Sequence, residues 1–180
     1  YYPDDTYEER TYYDEGALKT VTDRMGRTTS YEYDERDRLI RTTYPDLTYT
    51  MTAYDLGGLV KFEWDENGNK TQYGYYDDGK QKWVRRWLND TEYEETSYVY
   101  YPGGELYQTT DNKGHVTTYY YDELGNKTVT EYNNLTTTTS DYNAAGEKIF
   151  SYDQNGIKTG YEYELGRLRK IHLYKRNPEN

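Results

Sequence analysis

Thirty-three Asp and Glu side chains are the most numerous candidates for chemistry in this 180-residue chain. Two carboxylates converging across a cleft would support acid–base hydrolysis. Here the acids recur in short turn-like strings such as Tyr33-Asp34-Glu35 and Tyr121-Asp122-Glu123. A residue that returns with each repeat is explained by the repeat, so no catalytic residue is assigned. His115 and His172 stand far apart in the chain, with no serine or carboxylate motif to match. That arrangement supports neither a triad nor a zinc site. Cysteine is absent, which excludes disulfides, thiol chemistry and Cys-based metal sites. One turn, Asp65-Glu66-Asn67-Gly68-Asn69, concentrates the hard oxygen donors that calcium prefers. It lacks the spacing and terminal Glu of an EF-hand loop, and it falls where the chain needs a turn. No metal or other cofactor is assigned; calcium at the Asp-rich turns is the alternative.

Aromatic rings offer a second kind of chemistry, because they stack on the apolar faces of sugars. Trp64, Trp83 and Trp87, with Tyr73, Tyr75 and Tyr76, form the richest cluster. They are the candidate carbohydrate platform, against the alternative that the rings fill a packed sheet face. Four Asn-x-Thr sequons begin at Asn69, Asn89, Asn126 and Asn134. In a secreted eukaryotic protein they would be glycan acceptors, but a Thr-rich turn repeat generates them by composition.

The elements that must position these groups are constrained by composition. Hydrophobic residues make up 33% of the chain, but 27 of them are Tyr and only 2 are Phe. The share of Leu, Ile, Val and Phe falls below the roughly 20% at which a charged chain is usually disordered. Net charge is −11 and mean hydropathy is −1.29. Folding must rest on the Tyr side chains, which join a large ring to a polar handle. Tyr and the abundant Thr both favour strands. The composition predicts a thin sheet with both faces partly wet. The acidic balance argues against nucleic acid, which needs a basic face. The basic cluster Arg167, Arg169, Lys170, His172, Lys175 and Arg176 is read as covering an exposed strand or end. No stretch is apolar for long enough to span a bilayer. The chain begins at Tyr1 without a Met and without a visible signal peptide, and reads as a fragment or processed product.

A repeat dominates the pattern. Tyr, then Asp or a substitute, then a Gly-containing turn occurs at Tyr13-Asp14-Glu15-Gly16, Tyr33-Asp34, Tyr54-Asp55-Leu56-Gly57 and Tyr76-Asp77-Asp78-Gly79. It continues at Tyr101-Pro102-Gly103, Tyr121-Asp122 with Gly125, Tyr142 with Gly146, and Tyr163 with Gly166. The intervals between these tyrosines are 20, 21, 22, 25, 20, 21 and 21. A second turn lies about halfway through each unit and alternates in kind. Asp-x-x-Gly occurs at Asp23, Asp65, Asp111 and Asp153; Pro-Asp, Asn-Asp or Asn-Asn occurs at Pro3, Pro45, Asn89 and Asn133. The period is therefore a double unit, recurring at intervals of about 43 and present four times. Asp and Asn bond the backbone two residues on, and Gly accepts positive φ where a strand reverses. Tyr-x-Tyr strings such as Tyr31-Glu32-Tyr33 place two rings on one strand face. Lys80–Leu88 reads as strand, with an insertion or bulge in its unit. Leu18, Leu39, Leu59, Leu106, Ile149 and Leu168 follow the turns as a second, aliphatic ladder. The chain starts and stops at the same phase of the repeat, consistent with a boundary between units or a cut through a longer array.

The units Tyr31–Leu39, Tyr119–Asn126 and Tyr161–Leu168 resemble the YD repeat of Rhs proteins, a resemblance that extends over essentially the whole chain. The family includes Rhs toxins, C components of insecticidal toxin complexes, bacterial wall-associated proteins and animal teneurins. The resemblance implies a β-strip wound into a hollow shell, around an effector in toxins or within an adhesion ectodomain in teneurins. This chain lacks the Asp-Pro-containing motif at which many bacterial cores self-cleave, and has no effector or plug region. Eight hairpins are too few to close such a shell alone.

The sequence thus predicts an all-β array over residues 1–180, its tandem hairpins forming a long twisted sheet that curls into a spiral, solenoid or partial shell. The expected function is non-catalytic: wall of a secreted or cell-surface, bacterial Rhs/YD-repeat protein. The alternatives are a module binding surface glycans or partner proteins, and a self-assembling unit of a fibre or tube. Expected partners are further repeats of the same or a parent chain, joined through exposed strand edges.

Overall fold

In the computed structural model residues 7–174 are described. The Pro3-Asp4 turn and the cations Lys175 and Arg176 lie outside the described residues. The chain divides into two compact units, the first ending at Glu95 and the second beginning at Thr96. The first contains β1 (Glu9–Tyr12), β2 (Leu18–Thr22), β3 (Thr28–Tyr33), β4 (Leu39–Thr43), β5 (Tyr49–Tyr54), β6 (Val60–Trp64), β7 (Lys70–Tyr75) and β8 (Gln81–Trp87). Strand β9 (Tyr93–Tyr100) begins in the first unit and ends in the second. The second continues with β10 (Leu106–Thr110), β11 (Val116–Tyr121), β12 (Lys127–Glu131), β13 (Thr137–Tyr142), β14 (Lys148–Tyr152), β15 (Lys158–Glu164) and β16 (Arg167–Leu173). Within each unit strands pair antiparallel with their neighbours in chain order.

No hydrophobic side chain is buried among the described residues; the buried polar side chains are Thr118 and Thr130, 7% and 8% exposed. With no second layer, cross-strand pairs must supply the stabilisation, each worth roughly 0.2–1 kcal/mol. Thr and Tyr suit that task because each presents an apolar body to its neighbour and a hydroxyl to water or backbone.

The two kinds of turn differ in register. Each pairing that leads from an odd to an even strand skips one residue: Lys19, Ile40, Lys61, Lys82, Tyr107, Thr128, Ile149 or Arg169. These are β-bulges, which bend a strand and increase its twist. The pairings from even to odd strands, β2–β3, β4–β5, β6–β7, β10–β11, β12–β13 and β14–β15, run without a shift.

The phase of the repeat is corrected by this register. The tyrosines that pair across the sheet beside the bulges are Tyr12, Tyr33, Tyr54, Tyr75, Tyr100, Tyr121, Tyr142 and Tyr163, each last in its strand except Tyr163, which Glu164 follows. Tyr13, Tyr76 and Tyr101 instead open the turns, each accepting at its carbonyl the N–H of the residue three further on. The intervals become 21, 21, 21, 25, 21, 21 and 21. The Tyr-Tyr doublets hid this, because only hydrogen bonding decides which ring of a doublet ends the strand. The one long interval, from Tyr75 to Tyr100, has its excess in the strands. There β8 and β9 have 7 and 8 residues, where β4 and β5 have 5 and 6.

The proposed aliphatic ladder is likewise incomplete. Leu18, Leu39, Leu106 and Leu168 do face the strand-end tyrosines. At the same position Val60 keeps the ladder aliphatic, but Gln81, Lys127 and Lys148 interrupt it. Leu59 belongs to the turn, and Ile149 is a bulge residue.

Candidate functional site

Turn geometry determines what the acidic residues do. In the commonest turn the first residue donates its N–H to the carbonyl four residues on, and the fourth residue is left-handed. Glycine often takes that fourth place, but Asp37, Leu47 and Leu135 hold it at φ 59°, 68° and 62°. Gly58 and Gly104 have positive φ, whereas Gly57 and Gly103 are the residues before them. Where Asp or Asn opens the turn, one side-chain oxygen commonly accepts two backbone N–H groups; Asp55 accepts that of Leu59. Asp34 Oδ1 takes Arg36 N and Arg38 N at 2.9 and 3.0 Å; Asp122 and Asn143 repeat this. Where Tyr opens it, the acceptor moves two residues on, as at Asp46, Asp78 and Asn134. Asp14 and Asp77 are the second residues of their turns, so the Tyr-Asp pair has two structural meanings.

The Asp65 turn has the same bonding. Asp65 Oδ1 accepts from Asn67 N and Asn69 N, both at 2.9 Å, and Oδ2 accepts from Asn69 Nδ2 at 2.8 Å. Both oxygens are engaged inside the turn, and these bonds lower the Asp65 pKa. Among the described residues no three His, Asp or Glu side chains gather as a metal-ligand group. His115 Nδ1 lies 2.9 Å from Asp111 Oδ2 and His172 Nε2 lies 2.6 Å from Glu162 Oε1, one within a turn and one across strands. Among the sequons, Asn69 and Asn126 donate to their turn aspartates, and Asn89 and Asn134 accept from the Thr two residues on.

Tyr hydroxyls tie hairpin to hairpin. Tyr54, Tyr75 and Tyr142 donate to the carbonyls of Leu39, Val60 and Lys127, each 15 residues earlier, at 3.2, 2.8 and 3.1 Å. Tyr13 and Tyr101 donate to Tyr31 and Tyr119, each 18 residues later, at 3.0 and 3.1 Å. These bonds satisfy backbone acceptors that strand pairing leaves over.

The tryptophans divide into two cation-centred stacks on one face of β6–β8. Register places Trp64 beside Lys70, Gln72 beside Arg85 and Gly74 beside Trp83. Lys70 Nζ stands 4.5 Å from the Phe62 ring centroid, 4.8 Å from Trp87 and 6.0 Å from Trp64. Arg85 lies 4.2 Å from Trp83 and 4.5 Å from Tyr93, with Nε 2.6 Å from Glu95 Oε2. Such contacts are worth about 0.5–2 kcal/mol each. The platform of Trp64, Trp83, Trp87 and Tyr75 is therefore not one surface. Trp83 lies against Gly74, where an added Cβ would come 2.2 Å from Trp83 Cε2. Strand alternation sends Tyr73 and Tyr75 to the opposite face, where Tyr73 bonds Glu63 and Tyr75 bonds the Val60 carbonyl. Trp64 and Trp87 do come together. With Gly68, Asn69, Lys70, Leu88, Asn89 and Asp90 they line a hollow of about 290 Å³. The sequence signalled the rings but not Lys70 or the turn residues, which only the register brings to the hollow.

A second stack of the same kind lies in the second unit. Lys158 Nζ is 3.5 Å from Phe150, 5.8 Å from Tyr152 and 5.3 Å from Tyr174. Phe150, Tyr152 and Lys158 stand at a constant offset from Phe62, Trp64 and Lys70. The same offset relates the Tyr13 bond to the Tyr101 bond, and the Tyr54 bond to the Tyr142 bond. Sequence identity follows it through strands and turns alike. Tyr31, Tyr33, Asp34, Tyr44, Leu47 and Tyr54 recur as Tyr119, Tyr121, Asp122, Tyr132, Leu135 and Tyr142. The larger repeat is a block of four hairpins.

Bulged antiparallel hairpins opened by Tyr-Asp turns define a class, the Tyr-rich hairpin-repeat array. Residues 12–48 match the family model RHS Repeat. The array's fold is shared with solved structures. The crystal structure of TcdB2-TccC3-TEV matches 96% of the chain with TM-score 0.71 and 19% identity, and that of TcdB2-TccC3 matches 91% with TM-score 0.70 and 19% identity. The chain spans about 10% of the length of each. Among curated proteins no relative matches. No helix among the described residues is long and apolar enough to cross a membrane.

Proposed function

We propose that the chain is wall: a non-catalytic RHS-repeat segment of a secreted or cell-surface bacterial protein, which bounds a space instead of housing a reaction. The observation that carries this reading is a hydrogen-bonded sheet in which no hydrophobic side chain is buried among the described residues. A sheet of this kind has two usable faces and no interior in which to build an active site. The shared fold with the TcdB2-TccC3 structures supports the same reading.

The array's partners are further repeats. All four residues of β1 and six of the seven in β16 are exposed, unlike the mostly half-covered inner strands. Exposed strand edges template further pairing. A wall segment has both edges continued by other strands, from the same chain or another. Cryo-electron microscopy of the secreted assembly tests this. We expect density for a strand beyond β1 and beyond β16; an assembled protein with either edge open to solvent would refute the wall.

A further inference from the structure

We propose that a hollow over β11–β14 in the second unit is a binding site for a small phosphate monoester. Register sets Tyr119, Thr130 and Thr138 side by side across β11, β12 and β13, and Ser140 shares the face of Thr138 two residues on. With Thr117 and Tyr132 they line a hollow of about 370 Å³. Lys127 and Lys148, the first residues of β12 and β14, complete its lining. Lys127 Nζ lies 5.1 Å from the Tyr119 ring centroid, and Lys148 Nζ lies 5.8 Å from that of Tyr142. The repeat does not require these lysines. At the offset that relates the two blocks, Leu39 and Val60 stand in their places, while Thr42, Thr50 and Thr52 keep the hydroxyls of Thr130, Thr138 and Ser140. The second unit therefore adds two cations to a hydroxyl-bearing face that the first unit builds without them.

The fold leaves the donors of this hollow unused. Thr130 is 8% exposed, lines the hollow and makes no side-chain hydrogen bond with another described residue. The hydroxyls of Thr138 and Ser140 are likewise unbonded among the described residues. Neither lysine forms an ion pair among them, although Asp and Glu outnumber Lys and Arg in the chain by 33 to 22. Ammonium groups and hydroxyls can all donate, which selects an anion rich in acceptors. A phosphate monoester carries about two negative charges at neutral pH and presents three acceptor oxygens. Hydrogen bonds to such oxygens from ammonium groups are strong because charge assists them. Strands two apart in a sheet are separated by roughly 10 Å, so one phosphate between β12 and β14 lies within reach of both lysines. The volume is that of a small-ligand pocket, which leaves room for the organic part of the ester beside the Tyr119 and Tyr132 rings.

Isothermal titration calorimetry of the whole chain with phenyl phosphate tests the site, at low ionic strength where charges are least screened. Saturable binding is expected, weakened roughly tenfold or more by Lys127→Leu and by Lys148→Val, each of which removes a charge-assisted bond. Both variants carry residues that the first unit already accepts at those positions. Lys170→Ala, an equal change of charge at an exposed site on β16, leaves binding unchanged. Phenyl sulfate, with a single negative charge, binds roughly tenfold more weakly than phenyl phosphate, a comparison that needs no variant. Circular dichroism checks that each variant is folded; should one unfold, the other and the sulfate comparison decide. Absence of saturable binding, undiminished affinity in either folded variant, an equal loss in Lys170→Ala, or equal affinity for the sulfate overturns the proposal. No outcome bears on the wall, which rests on the strand edges.

Discussion

At the scale of the residue, one side-chain oxygen helps to close the turns that carry Asp or Asn as acceptor. The Asp34 carboxyl is drawn from 3.8 down to about 2, first by the side-chain bond from Arg38 and then by the Arg38 and Arg36 backbone N–H groups. Asp23, Asp46, Asp65, Asp78 and Asp122 are lowered too, each chiefly by the side chain that closes its turn. A carboxylate with a depressed pKa adds stability above its unfolded value and loses it as pH falls through the folded one. The window here runs from 3.8 to about 2. Circular dichroism during acid titration should show stability holding above that window and falling within it. Asp34→Asn should shrink the loss, since an amide lacks the titrating proton. It should also cost less at neutral pH than Asp34→Ala, because Asn143 already closes an equivalent turn through its amide oxygen. The denaturation midpoints of the two variants check this. Leu47, 80% exposed, is held at φ 68°. Leu47→Gly should raise stability by up to about 1 kcal/mol in urea unfolding, as relief of left-handed strain exceeds the added freedom of the unfolded chain.

At the scale of the element, the hairpins are joined by bulges and by tyrosine hydroxyls. The Tyr75 hydroxyl donates to the Val60 carbonyl at 2.8 Å, and burial, chiefly, raises its pKa. Tyr75→Phe removes one bond and leaves a carbonyl acceptor unpaired. The expected loss is about 0.5–1.5 kcal/mol by urea unfolding. The bulges were not legible beforehand. Nothing in Lys19, Ile40, Thr128 or Arg169 sets them apart as residue types, because a bulge is a property of the pair of strands. The insertion or bulge expected in the unit of Lys80–Leu88 is an insertion carried by longer strands, and the skipped residue at Lys82 stands where its counterparts have theirs.

At the scale of the whole molecule, each unit is a run of neighbours, and in such arrays a perturbation stays near its source. Gly74→Ala is a suitable probe, since its Cβ must displace the Trp83 indole; overpacking of this kind costs about 1–3 kcal/mol. Hydrogen exchange should quicken in β6–β8 and remain unchanged in β12–β15, and acceleration throughout would show a cooperativity that this sheet gives no means to produce. By itself the sequence determined the all-β class, the regular Tyr-rich repeat and the turns that separate strands. Those features are local: hydroxyl and ring propensities, Asx acceptors and glycine act within a few residues of where they are written. Only the tertiary structure decided which tyrosine of a doublet ends a strand, which residue of each pair bulges, and that Trp64 and Trp87 share a hollow with Lys70 while Tyr75 faces away. It also brought out the four-hairpin block, first seen in recurring side-chain bonds. Register is the common reason, since a shift of one residue changes the face of each side chain and no local preference fixes it.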